Sequence, residues 1–585
     1  MSRRKKSQAV FWRRWRSLAL LAGFAVAGGA LEARLIYLQL VDREFLAAQG
    51  DDRHIRTVQI SAHRGPIVDR NGEPLAVSTP VDTIWANPND LMPAIERVGE
   101  LAEIIGVEED WLVRRVTSNL DREFVYLRRH LRPDDAASAL QLGLPGVGTL
   151  REYRRYYPSG EVSGHLLGFT NIDDQGQEGL ELAYDYWLGG ETGHKRVVQD
   201  RLGRIIEDVE LLAPARAGRT LTTSLDLRVQ YLAYRELKRA VAESGALSGS
   251  VVILDVETGE VLAMVNQPSF NPNDRSQLDV ARYRNRAVTD IFEPGSSFKP
   301  FVVAAALETG RYEPTSTIDT SPGYLRVSGR IITQDYNDLG EIDLATILAR
   351  SSNVGVGKLA LDLEQRELWG VLSSFGIGSL TESGFPGESA GVLNDPEYWR
   401  PVGQATLAYG YGLSVTALQL AHAYTVIAAD GIQRPISLVT VDEPPPGRRV
   451  VSATTARAVK GMLETVVSER GTGFRAAVQN YRVAGKTGTA WKSAVGGYSK
   501  DRYLAVFAGL APVTAPKIVA VVIVDEPRGE DYYGGEVAAP VFSRIVGGTL
   551  RLLAVPPDAL SAPVSTVVAR AERARDEVAQ AGGTP

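Results

Sequence analysis

The chain has 585 residues, 44% hydrophobic and 23% charged, a balance that excludes wholesale disorder and calls for two or three folded domains. Its net charge of −6 gives no general electrostatic case for binding nucleic acid. Cysteine is absent, which removes disulfides, thiolate metal sites and a cysteine nucleophile, and the six histidines (His54, His63, His130, His165, His194 and His422) show no paired metal-ligand spacing.

In chain order, residues 1–16 form a basic leader carrying Arg3, Arg4, Lys5, Lys6, Arg13, Arg14 and Arg16, and residues 17–40 form an apolar segment broken late by Glu32 and Arg34. About 24 residues of helix at ~1.5 Å each exceed a hydrocarbon thickness of ~30 Å, so one transmembrane anchor is expected. The basic flank should stay cytoplasmic and place the rest of the chain outside the cytoplasmic (inner) membrane, in the periplasm. A signal peptide cleaved after Ala25-Val26-Ala27 is the competing reading. The apolar residues Leu35, Ile36, Leu38 and Leu40 beyond that point favour a continuing anchor.

Residues 41–219 mix short strand-like runs, charged helices and turns such as Asp69-Arg70-Asn71-Gly72, where Asn-Gly predicts a tight hairpin. They read as an irregular α+β region. From Thr220 the elements become well marked, starting with a helix capped by Ser224 or Asp226 and running through Val241. Val251–Val256 and Val261–Val265 read as strands joined by a short turn, and Arg502–Leu510 and Lys517–Val524 as two late strands of the same antiparallel sheet. Residues 556–585, rich in Ala, Ser, Pro and charge, are expected to be a weakly ordered tail after a second domain spanning 220–555.

Chemistry is concentrated in Phe292-Glu293-Pro294-Gly295-Ser296-Ser297-Phe298-Lys299-Pro300, which leads into the apolar run Phe301–Leu307. Proline is tolerated in the first turn of a helix, so a helix should start near Gly295 or Ser296. Ser296 then sits at its N-terminus, with Lys299 three residues on along the same face. A serine hydroxyl needs a base, and a desolvated lysine can serve in place of histidine. A triad using His422 is the competing arrangement, with no Gly-x-Ser-x-Gly elbow to support it. Ser-x-x-Lys alone is weak, because Ser2-Arg3-Arg4-Lys5 matches it too.

Two later segments supply context: Ser351-Ser352-Asn353, and Lys486-Thr487-Gly488-Thr489-Ala490. In this order the three resemble the motif set of penicillin-binding proteins and serine β-lactamases. Glycine in a strand edge lets a peptide-like substrate approach the backbone, and Lys486 with the neighbouring hydroxyls suits its carboxylate. The resemblance implies that Ser296 attacks a D-Ala-D-Ala amide and that Lys299 is its base. It further implies that Ser351 and Asn353 manage proton transfer and orient substrate, and that Lys486 adds positive potential. Thr487, Gly488 and Thr489 would bind the donor, and the backbone N–H groups of Ser296 and Thr489 would form the oxyanion hole.

The likeness covers nearly the whole chain. His63-Arg64-Gly65-Pro66 through Asn71-Gly72, Arg155-Tyr156-Tyr157-Pro158, His165-Leu166-Leu167-Gly168 and Gly176–Glu181 resemble the pedestal (dimerisation-type) domain of class B penicillin-binding proteins, with packing roles. Glu293-Pro294-Gly295, Asn353, Tyr532-Tyr533-Gly534-Gly535 and Ala538–Phe542 resemble the division-specific (septal) type. The fold implied is multidomain α+β: a single transmembrane helix, an irregular pedestal over 41–219, then a transpeptidase domain of antiparallel sheet with helices. The function implied is serine-type peptidoglycan D,D-transpeptidation in septal cell-wall synthesis at the division site, with no cofactor and no metal. Partners would be peptidoglycan stem peptides, the membrane, β-lactams as covalent inhibitors, and a septal glycan polymerase with other division proteins. An elongation-type enzyme, and a non-catalytic divisome scaffold or β-lactam sensor, are the alternatives. A β-lactamase is disfavoured because Glu388 precedes Leu393-Asn394 at the wrong spacing for a deacylating loop.

Overall fold

The computed structural model describes residues 3–42, 55–60, 62–199, 205–276, 279–494 and 496–559. Arg3–Ile36 is one helix, extended by a π-helical turn at Tyr37–Val41. Its stretch Arg14–Val41 is long and apolar enough to cross a membrane and is not covered by protein.

The chain divides into two compact units: Met1–His63, Pro80–Tyr153 and Gly190–Ala217 form the first, and Arg64–Thr79, Arg154–Gly189 and Gly218–Pro585 the second. In the first, strands Ile55–Ile60, Gly193–Gln199 and Ile205–Ala213 make a three-stranded antiparallel sheet. A separate core gathers Ile84, Leu91, Leu127 and Ala136 around the helix Val98–Ile105. That helix buries Val98, Leu101, Ala102 and Ile105, the i, i+3, i+4, i+7 stripe of an amphipathic helix.

The second unit begins with the expected hairpin. Strand Ile67–Val68 returns into Pro74 through a turn in which Gly72 has φ +88°, and Asp69 Oδ1 accepts from the N–H groups of Asn71 (2.8 Å) and Glu73 (2.9 Å). The other Asp69 oxygen accepts from the Leu227 N–H at 3.0 Å, tying the turn to helix α1 (Leu227–Ser244). The α1 cap is Asp226, whose carboxylate accepts from the Arg228 N–H at 3.0 Å. Arg64, just before the hairpin, and the distant Arg155 are both buried on Glu181, at 2.8 and 2.6 Å.

The central sheet contains β1 (Ser248–Asp255), β2 (Val261–Gln267), β3 (Ala484–Ala494), β4 (Gly497–Ala511) and β5 (Ile518–Asp525), and the helices that concern its chemistry are α2 (Lys299–Glu308), α3 (Asn353–Asp362), α4 (Ala417–Ala428) and α5 (Gly534–Leu552). Strand order is β2-β1-β5-β4-β3, antiparallel throughout, so early and late segments share one sheet as the apolar runs imply. Every residue of β1 and β2 is buried. One face of the sheet packs on α1 and α5, through Leu237, Phe542 and Ile545 among others, and the opposite face packs on the core of α2 and α4. Burial on both faces explains why these strands read as continuous apolar runs without alternation. The outcome for the active site is an edge strand, β3, left open on one side. Of the segment expected to be a weakly ordered tail, residues 556–559 are described and anchored, Asp558 accepting from the Arg482 N–H at 2.6 Å, while residues 560–585 lie outside the described residues.

Candidate active site

Ser296 lies in a 3-10 turn, Gly295–Phe298, that runs directly into α2 with Pro300 in its first turn. Gly295 has φ +55°, and a Cβ there would stand 3.2 Å from the Thr489 carbonyl, so the turn needs glycine both for its backbone and for its closeness to β3. Behind the turn, Ser297 Oγ donates to the Pro294 carbonyl (2.7 Å), and the buried Tyr424 hydroxyl donates to the Ser297 carbonyl (2.7 Å). Ser296 is half-buried and its hydroxyl makes no hydrogen bond among the described residues. A free hydroxyl on a turn fixed from behind can point into the open cleft.

Lys299 is completely buried. Its Nζ donates to the Ser351 carbonyl at 2.5 Å, to Ser351 Oγ at 3.2 Å and to Asn353 Oδ1 at 2.7 Å. Ser351 Oγ also receives Lys486 Nζ at 3.0 Å, so one hydroxyl bridges the two buried lysines. None of these partners is a carboxylate. Burial, then the charge of Lys486, push the Lys299 ammonium well below its usual value against the pull of Asp335. Burial alone pushes Lys486 down to about 7. Ser351 itself has φ +57°, a conformation L-residues rarely adopt and one that clusters at functional sites.

Strand β3 supplies the open wall. The Trp491 N–H donates away from the sheet, to the Tyr411 hydroxyl at 3.1 Å. Residues two apart in a strand turn their backbone groups the same way, so the Thr489 N–H also faces outward, on the side of the Ser296 turn. Thr489 Oγ1 accepts from the Gly534 N–H at the start of α5 (2.9 Å), and Thr487 Oγ1 contacts Thr472 Oγ1 at 2.9 Å and Lys486 Nζ at 3.2 Å. Gly488 has a different reason from the substrate clearance expected of it. A Cβ there would meet the Pro294 carbonyl at 2.8 Å and Ser297 Cβ at 3.3 Å, so its missing side chain makes room for the nucleophile turn.

The structure therefore brings Ser296, Lys299, Ser351, Asn353, Lys486, Thr487, Gly488 and Thr489 into one cluster. Ser296 and Lys299 share no hydrogen bond in this structure; the lysine is engaged by Ser351 and Asn353. His422 is elsewhere engaged, with Nε2 on the Arg434 carbonyl at 2.7 Å, and burial lowers its pKa. Glu388 accepts from Ser383 Oγ (2.9 Å) and from the Thr381 hydroxyl, fastening its own loop. Among the described residues no group of three or more His, Asp or Glu side chains is arranged to hold a metal ion.

Sequence reading missed three residues around this cleft. Asp335 accepts from the Asn353 N–H at 2.7 Å, and Thr333 Oγ1 accepts from Asn353 Nδ2 at 3.1 Å. Glu293, noted only as part of a sequence signature, accepts through Oε1 from the Gly412 N–H (2.7 Å) and the Tyr498 hydroxyl (2.9 Å), linking the nucleophile segment to a distant loop and to the start of β4. The Asp-Tyr-Asn-Asp run at 335–338 was the available signal for a structured turn, though nothing in it points to Asn353.

The penicillin binding protein transpeptidase domain family matches residues 249–547, and the penicillin-binding protein dimerisation domain family matches residues 59–223. The chain is 44% identical over 552 residues to the peptidoglycan D,D-transpeptidase FtsI of Escherichia coli strain K12, covering 94% of this chain and 93% of that one. It is 40% identical over 551 residues to the probable peptidoglycan D,D-transpeptidase PbpC of Pseudomonas aeruginosa, covering 94% and 97%. Among solved structures, penicillin-binding protein 3 of Mycobacterium tuberculosis, complexed with aztreonam, is similar with a TM-score of 0.67 at 29% identity, over 86% of this chain and 100% of that one. With both domain families matched in order and identity sustained over almost its whole length, the chain belongs to the class B penicillin-binding proteins, the family of FtsI-like peptidoglycan D,D-transpeptidases.

Proposed function

We propose that this chain cross-links peptidoglycan through an acyl-enzyme on Ser296. Ser296 Oγ attacks the carbonyl of the penultimate D-Ala of a donor stem peptide while Lys299 takes the hydroxyl proton. The new Oγ–C bond displaces the terminal D-Ala, whose nitrogen receives a proton through Ser351, and an acceptor amine then attacks the ester and releases the serine. Charge on the tetrahedral oxygen is met by the N–H groups of Ser296 and Thr489, each donor of this kind being worth roughly 3–4 kcal/mol. Thr487, Gly488 and Thr489 line the donor position, and the donor carboxylate favours the charged form of Lys486, which burial otherwise opposes.

The observation that carries this reading is the environment of Lys299. It is fully buried and held by a carbonyl, a hydroxyl and an amide oxygen without a contacting carboxylate, which is the setting in which a lysine loses its proton at neutral pH and acts as a base. Glu388 is occupied in its own loop and is not placed to activate water against the ester. β-Lactams should therefore acylate Ser296 and leave it slowly.

The biological setting we infer is septal cell-wall synthesis, supported by the names of the relatives and by the Glu293-Pro294-Gly295 and Asn353 signatures. The apolar helix at the amino terminus fits a single-pass inner membrane protein. We place its basic leader (1–16) in the cytoplasm, the anchor at 17–40, and the pedestal (41–219) and transpeptidase (220–555) outside, with a membrane glycan polymerase and other division proteins as partners. The test is intact mass and peptide mapping of the detergent-solubilised chain after exposure to a labelled penicillin. A stable adduct on Ser296 that Ser296→Ala abolishes is expected, and an adduct elsewhere, or none, would remove the catalytic assignment.

A further inference from the structure

Beyond Thr489 the open edge of β3 stops being free. The next outward-facing N–H, that of Trp491, already donates to the Tyr411 hydroxyl at 3.1 Å. With its carboxylate at Thr487 and Lys486 and its scissile carbonyl at the Thr489 N–H, a donor peptide runs antiparallel to β3. At about 3.3 Å per residue, the residue that precedes the two D-Ala comes level with Ala490 and Trp491, where the free edge ends.

A cavity of about 180 Å³ lies at that point, between the strand ends and the segment leading to Ser296. Phe292, Ala417, Leu504 and Ile523 give it apolar walls, and Asp290, Glu293 and Asp525 bring carboxylates to it. Two of the three carboxylates are fully used. Asp290 accepts from Arg286 (3.0 Å) and from the Thr289 hydroxyl (2.9 Å). Asp525 accepts from Lys492 (2.8 and 3.1 Å) and from the Ser248 hydroxyl (3.1 Å), so both cations on the cavity wall, Arg286 and Lys492, are already paired. Glu293 differs. Its Oε1 receives Gly412 and Tyr498, while Oε2 is buried with no hydrogen-bond partner among the described residues. Burial raises the pKa of this carboxyl, against the two donors on Oε1.

We propose that this cavity receives the side chain of the donor residue preceding the two D-Ala, and that Glu293 Oε2 selects a side chain ending in a primary amine. The proposal rests on the reading of Ser296 as nucleophile and of β3 as the donor edge. An ammonium brings the hydrogen-bond donors that Oε2 lacks and a charge that its carboxylate balances. The methylenes leading to it lie on Trp491 and Tyr498, whose rings are about half exposed and are joined through Tyr411, with centroids 6.5 and 5.1 Å from it. A neutral side chain leaves Oε2 bare, and an acidic one sets a second negative charge against it.

A penicillin brings its reactive carbonyl to Ser296 and its 6-acyl group to the place of the preceding donor residue. The experiment measures second-order acylation rates of the full-length, detergent-solubilised chain by penicillins with a 6-aminohexanoyl group, its N-acetylated twin, and a twin with a carboxylate in place of the amine. Wild type should react with the amine about 10-fold faster than with the acetylated twin, the scale of a charge-assisted hydrogen bond, and slowest with the carboxylate. Glu293→Gln should bring the amine and acetyl rates to within about 2-fold of each other, whatever it does to both. Tyr498→Phe removes a donor from Oε1 and leaves Oε2 in place, so it should change all the rates by one factor and keep their ratio. A Glu293 that only braced the nucleophile segment would behave like Tyr498, with the ratio unmoved by Glu293→Gln. Equal amine and acetyl rates in wild type would overturn the proposal, as would an amine preference that survives Glu293→Gln. Should that variant not fold, Glu293→Asp, which draws the charge back by one methylene, must shrink the preference, and an undiminished preference would overturn the proposal too. Were wild type not acylated on Ser296 by any of these penicillins, the catalytic reading would fail first, an outcome distinct from acylation that ignores the amine.

Discussion

The second unit buries cations in two places, and it treats them in opposite ways. Arg64 and Arg155 share the fully buried Glu181, and Arg64 also donates to Asp185 (2.7 Å) and to the Asp174 carbonyl (2.9 Å). Burial works against the Arg64 charge, but Glu181 and Asp185 outweigh it and hold the guanidinium above its usual value. Lys299 and Lys486 meet each other across the Ser351 hydroxyl, and burial drives both down. The arginine pair is built to stay charged and to hold the hairpin region in place. The lysine pair is built so that a proton can leave, which is what a base for a serine requires.

Swapping one residue in each place should separate the two roles. Lys299→Met keeps the chain length and the packing but removes the base, so acylation should fall by about 10²–10⁴-fold. Its melting temperature should hold or rise, since folding no longer has to strip an amine of its water and its proton. Stopped-flow acylation and calorimetry on the same preparation check both halves. Glu181→Gln is the reverse case. It leaves the buried Arg155 guanidinium without a carboxylate and Arg64 with Asp185 alone, and should cost about 3–5 kcal/mol of stability in denaturant titrations, with the acylation rate of the folded fraction unchanged.

A smaller effect should appear in the pH dependence of stability. Lys486 has a folded-state pKa of about 7, below that of a free lysine, so between those values the unfolded chain binds more protons than the folded one. Stability should therefore rise with pH from about 7 to the free-lysine range and gain nothing from this group below 7. Lys486→Met should flatten that slope in melting curves taken across the interval, and an unchanged slope would mean that Lys486 is not desolvated as described.

The contrast also explains what the sequence disclosed. Strands β1, β2, β4 and β5 were legible because apolar runs between turns survive without knowledge of the fold, although burial on both faces removed the alternation that would have fixed their orientation. The motif residues were legible through order and spacing. Asp335 and Thr333 were not, since their partner Asn353 lies 18 and 20 residues away across a helix and no local pattern announces the meeting. Glu293 reaches Gly412 and Tyr498, 119 and 205 residues on, for the same reason. The Arg64–Glu181 pair closes over 117 residues, which is why segments 64–79 and 154–189 join the second unit although composition sets them among their neighbours. Gly488 looked like clearance for a ligand because a sequence cannot show that the Ser296 turn already occupies the space.

The central claim is that Lys299 is neutral when Ser296 reacts, and the pH dependence of Ser296 acylation by a penicillin tests it most directly. The account predicts a rate that reaches its plateau well below the pKa of an ordinary lysine, with an acid limb that disappears along with the rate in Lys299→Met. A wild-type rate that kept climbing tenfold per pH unit up to about pH 10 would mean a lysine still charged at neutral pH, and would contradict it.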